Sequence, residues 1–121
     1  MELPSGERLV LAPLAAETAR RFLAEFPDEL ERYGDAGREW CEHDTQWLLA
    51  WAGEDLAVGG GHFANNVRWL AGILRAREYP VGRLRRDLEL AAGVVAELGP
   101  AFEDVAEKLR RGARLLQTRR R

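Results

Sequence analysis

An all-α fold of about six helices is what this sequence predicts, and three observations carry it. Apolar residues recur at intervals of three and four in every long segment, no segment alternates with period two, and glycine or proline marks each short link. Residues 1–12 read as an irregular start. Pro13 to Phe26 places Leu14, Ala15, Thr18, Phe22 and Phe26 at helical spacing, with Pro13 in the first turn, where a missing N–H costs nothing. Pro27 ends that helix, Asp28 opens a short second one through Tyr33, and Gly34 stops it. Asp35 caps a long central helix running to about Val58. Gly59, Gly60 and Gly61 then force a turn, because three consecutive glycines favour the unfolded backbone. Phe63 to Arg77 forms the next helix through Phe63, Val67, Leu70, Ile73 and Leu74, with Trp69 beside the stripe, and Tyr79-Pro80 ends it. Val81 to Leu98 repeats the pattern through Leu84, Leu88, Ala91, Ala92 and Val95. Gly99-Pro100 closes it and starts the last helix, which uses Phe102, Val105, Leu109, Ala113 and Leu116. Residues 118–121 read as a solvated basic tail containing Arg119, Arg120 and Arg121.

The chain has 121 residues, 46% of them hydrophobic and 31% charged, which is enough core and enough surface for one domain spanning 1–121. Its 18 basic and 20 acidic residues leave a net charge of −2, so no overall field draws it to nucleic acid or to an anionic membrane. All the basic residues but Lys108 are arginine. One cysteine makes no internal disulfide, and no apolar run approaches the roughly 18 residues of a transmembrane helix. The opening MELPSGERLVLAPL lacks a basic region followed by a sustained apolar one. A cytoplasmic protein is expected.

Trp40 to Leu56, WCEHDTQWLLAWAGEDL, holds the only cysteine, three of the four tryptophans and one of the two histidines. At about 100° per residue, Trp40, Trp47 and Trp51 fall in one stripe, with Cys41, Thr45, Leu48 and Ala52 on the adjoining face. Asp44 falls between the two rows, where a carboxylate needs a partner. Glu39, Glu42, His43, Gln46, Ala50 and Glu54 point the other way, to solvent. No enzyme class emerges. A two-metal bundle would need paired Glu-x-x-His motifs on separate helices, a zinc site about four spaced ligands, and neither set exists. Cys41 and His43 lie two positions apart on different helix faces, which does not make a nucleophile and base.

Cys41-Glu42-His43-Asp44, then Trp47-Leu48, the Leu56 to Gly61 turn and Trp69-Leu70-Ala71-Gly72-Ile73 resemble in order and spacing the central part of the phycobiliproteins. The resemblance spans roughly Trp40 to Val95 and is nearest to the small bilin biosensor-associated globins of non-photosynthetic bacteria. It implies a globin-like helical bundle without catalytic activity that binds a linear tetrapyrrole, a bilin of the biliverdin or phycocyanobilin type, for sensing or light absorption. It further implies Asp44 as acceptor for the pyrrole N–H groups, Cys41 as the possible thioether attachment, and Trp40, Trp47 and Trp51 along the chromophore. Arg38, His43 or Arg68 would meet the propionates. Two departures stand out: only forty residues precede Cys41, and His43 occupies the place before the aspartate where the family commonly has arginine.

Two other readings stay open. One is a cofactor-free helical interaction module, a homodimer or the partner of a signalling domain, in which the tryptophans are core or contact surface and Asp44 pairs with an arginine. The other is a haem- or cobalamin-associated sensor domain with His62 as a possible axial ligand, although a histidine opening a helix behind three glycines reads as exposed.

Overall fold

A computed structural model describes residues 1–117, so the expected tail at 118–121 lies outside the described residues. Helix α1 runs Leu11–Glu25 and turns Leu14, Ala15, Thr18, Ala19, Phe22 and Leu23 inward, the face that the spacing predicts. The ten residues before it are more ordered than their composition announced. The Met1 amino group donates to the Leu9 carbonyl (2.8 Å), the Leu9 N–H donates back to Met1 (2.7 Å), and Leu3 and Leu9 enter the core.

The expected second and third helices are one element, α2, Asp28–Val58, so the count is five α-helices rather than six. The cause is local. Gly34 does take a non-helical conformation (φ 61, ψ −146), which a residue without Cβ reaches cheaply, but hydrogen bonding resumes on both sides of it. The first two turns of α2 are thereby offset from the rest. The turn through Gly59, Gly60 and Gly61 lies where expected, all three at positive φ.

Helix α3 covers His62–Ala76, α4 Val81–Ala96 and α5 Glu103–Leu115, the last entered through a single 3-10 turn at Pro100–Phe102. Helix α4 packs against α1, α2 and α5, and α2 lies across α1, α3 and α5. Leu48, Leu49, Ala52, Phe63, Val67, Leu88, Val95, Val105 and Leu109 fill the centre. A second device joins α2 to α3. The buried Asp55 carboxylate accepts from the His62 backbone N–H at the start of α3 (2.9 Å) and from Lys108 of α5 (2.9 Å). Burial pushes its pKa up, but these donors outweigh burial and hold it below the ordinary value. No helix among the described residues is long and apolar enough to cross a membrane.

The link from α3 to α4 shapes the site. The Glu78 N–H donates to Arg75 (3.0 Å) and the Tyr79 N–H to Leu74 (2.9 Å), the paired bonds of a Schellman cap. Its left-handed position normally holds glycine, yet here it is Glu78 (φ 59). The cap reverses the chain before Pro80 and carries Tyr79 against α2.

Candidate functional site

A cleft of about 440 Å3 opens between the first half of α2 and the α3–α4 corner, within the usual range of small-molecule sites. Helix α2 contributes Glu29, Tyr33, Gly37, Trp40, Cys41 and Asp44. Phe22 comes from α1, Leu74 from α3, Arg77 and Tyr79 from the link, and Arg83, Leu84 and Asp87 from α4. The wall is apolar and aromatic, with carboxylates in two distinct settings.

At one end the carboxylate is fully engaged. Buried Glu29 accepts from the Tyr79 hydroxyl (2.6 Å) and from Arg83 Nη1 (2.7 Å). Arg83 also grips Asp28 through both terminal nitrogens (2.8 and 3.1 Å) and lies 4.5 Å over the Phe26 ring. Burial and then the bond to Glu29 raise the Tyr79 hydroxyl well above its ordinary range, so it stays a donor. These charges are occupied by each other.

At the other end they are not. Asp44 is half-buried on the cleft wall and makes no side-chain hydrogen bond or ion pair among the described residues. Burial raises its pKa, and His43 and Arg77 counter this only at a distance. One turn back, Cys41 lines the same wall. Its thiol is pushed far above the ordinary range, by burial first and then by the charge of Asp87.

Asp87 is the group that helical spacing alone did not single out. It is 6% exposed, and its Oδ1 lies 3.9 Å from Cys41 Sγ. Burial, with a further push from Asp44, raises its pKa to about 7. The geometry agrees with a proton resting there. Thr45 Oγ1 sits 2.9 Å from Asp87 Oδ2 and 2.7 Å from the Cys41 carbonyl oxygen, yet a hydroxyl has one proton to give. A protonated Asp87 satisfies all three by donating to Thr45, which donates to the carbonyl. An ionised Asp87 leaves one acceptor short.

Of the residues singled out by sequence, the fold gathers Cys41, Asp44 and Trp40 on the cleft. Trp47 and Trp51 lie outside it. They form an aromatic row with Trp69 of α3, with ring centroids 5.9 Å apart for Trp47–Trp51 and 6.5 Å for Trp51–Trp69. Arg38, His43 and Arg68 are exposed and do not line the cleft, and Arg77 and Arg83 are the cations that do. His62 is exposed at the head of α3, also away from the cleft. Comparison with known families, characterised proteins and solved structures finds no match.

Proposed function

We propose that the cleft binds a linear tetrapyrrole, with Asp44 accepting its pyrrole N–H groups. The observation that carries this reading is a half-buried carboxylate without a partner among the described residues, on the wall of a small-molecule cleft. A protonated bilin presents several N–H donors in a short arc, the complement of such a carboxylate. The other wall groups suit the same ligand. Trp40, Tyr33 and Tyr79 offer aromatic surface, Cys41 stands one turn from Asp44, and Arg77 takes the role of propionate partner expected of Arg38, His43 or Arg68. The pigment, once bound, supplies visible absorption; the chain's part is to fix one conformer and hold its charge.

Biliverdin or phycocyanobilin added to the purified protein is expected to give a red band sharper and stronger than that of free pigment. Asp44→Ala should leave the apoprotein folded, weaken binding and move the band to the blue. Cys41→Ala should keep a similar band and lose only attachment that survives denaturation. A free-pigment spectrum at excess protein refutes the reading.

A second reading, a helical interaction module, is favoured by one observation. Trp40, Trp47 and Trp69 remain 59%, 50% and 61% exposed along adjoining surfaces of α2 and α3, more apolar area than isolated surface residues usually leave in water.

A further inference from the structure

We propose that Asp87 is the base that takes the Cys41 proton when the sulfur adds to an electron-poor alkene held in the cleft. This deepens the reading above, which supplies only the identity of the alkene. The placement of the two side chains carries it. Sγ and Oδ1 face each other at 3.9 Å from different helices, both on the cleft wall, and no other carboxylate contacts the sulfur among the described residues. The distance is long for proton transfer, as such contacts often are before a ligand tightens them.

The step balances without an oxidant or a metal. The S–H bond breaks and its proton passes to Asp87 Oδ1 as the sulfur pair forms the S–C bond. The alkene π pair moves to the neighbouring carbon, which then takes the proton back from Asp87. A thiol and an alkene become a thioether, and both side-chain charges return to their starting values.

The surroundings explain why a base is needed. The thiolate is strongly disfavoured, so prior ionisation gives little nucleophile, whereas a base that accepts the proton as the bond forms avoids a free thiolate. Facing Asp87 from α2 are Cys41, Asp44 and Thr45; Phe22 of α1 and Leu74 of α3 are neutral, and α5 places no charge on the cleft wall. Glu29, Tyr79 and Arg83 are locked to one another, and the charge of Arg77 acts on Asp44. Among the described residues no cation is therefore set to stabilise a thiolate.

N-ethylmaleimide, a small activated alkene, tests this on the full chain without pigment. The alkylation rate of Cys41 should rise with pH through a midpoint near 7, where Asp87 ionises, and then level off. Asp87→Asn should react about 100-fold more slowly at pH 7.5, the scale of a lost general base. The competing account, in which Asp87 merely repels the thiolate, predicts the opposite sign: Asp87→Asn would react faster. An equal or faster rate in the variant overturns the proposal. So does a wild-type rate that climbs without a plateau beyond pH 9, a measurement that holds even if the variant does not fold. Because maleimide replaces the pigment, failure here is separable from failure of biliverdin to bind.

Discussion

Replacing Asp87 with asparagine should stabilise the apoprotein at high pH and do little at low pH. The carboxyl titrates at about 7 in the fold against 3.8 as its unperturbed value. A raised pKa means that the folded state holds the proton more tightly than the unfolded chain. Its penalty is therefore fully present above the folded pKa and disappears as the pH falls toward the unfolded one. At 1.36 kcal/mol per pKa unit, the gap corresponds to about 4 kcal/mol lost at pH 8 and under about 1 kcal/mol at pH 4. Asparagine is nearly isosteric, carries no charge, and its amide can donate to Thr45 Oγ1 as the protonated acid does. Urea melts of wild type and Asp87→Asn at pH 5, 6, 7 and 8 should give midpoints that separate progressively, the variant being the more stable. The difference between the two proteins cancels groups that titrate alike in both, Glu17 and Asp55 among them. Parallel curves, or a variant less stable at pH 8, would refute the burial argument and the proton placed on Asp87.

Two further outcomes follow from other parts of the chain. Glu78→Gly removes an L-residue from the left-handed position of the α3 cap and should raise stability by about 1 kcal/mol, read as a higher urea midpoint with unchanged m. If instead the Glu78 conformation is set by the cap at no cost, the midpoint will not move. For the exposed aromatic row, sedimentation velocity should show concentration-dependent dimer in wild type that Trp47→Gln with Trp69→Gln abolishes if the interaction reading holds. A monomer at all concentrations removes self-association from consideration.

The boundaries of the fold were legible where the signal is local. Pro27, Pro80, Gly99-Pro100 and the glycine turn act on their own backbone, and helices end near all of them. Gly34 shows the limit. Its effect on φ and ψ is local and was foreseeable, but whether hydrogen bonding resumes beyond it depends on what holds the two segments together, here including the Glu29–Tyr79–Arg83 contacts across to α4. The burial of Leu3 and Leu9 was hidden for a similar reason, since no periodicity marks a loop that docks by its side chains.

The site was half legible. Angle around α2 places Trp40, Asp44, Trp47 and Trp51 within about 60° of one another, so periodicity cannot separate them. Position along the axis does. Trp47 lies about 10 Å and Trp51 about 16 Å further along than Trp40, at 1.5 Å per residue, which carries them past the cleft to Trp69. Asp87, by contrast, carried the same signal as Asp44: it interrupts the apolar face of α4 between Leu84 and Leu88, Ala91. A carboxylate on a core stripe is costly unless something uses it.

These two carboxylates form one electrostatic unit. Burial first, and then the Asp44 charge, keep the proton on Asp87, while burial first, and then the charge of an ionised Asp87, keep the Cys41 thiol protonated. A ligand that gives N–H donors or positive charge to Asp44 removes that share of the rise, so Asp87 ionises more readily beside the sulfur. Filling the first carboxylate and readying the second as a base are then linked equilibria. A ligand of the right charge lying against Asp44 should therefore move the pH at which the Cys41 thiol becomes reactive below that of the empty cleft.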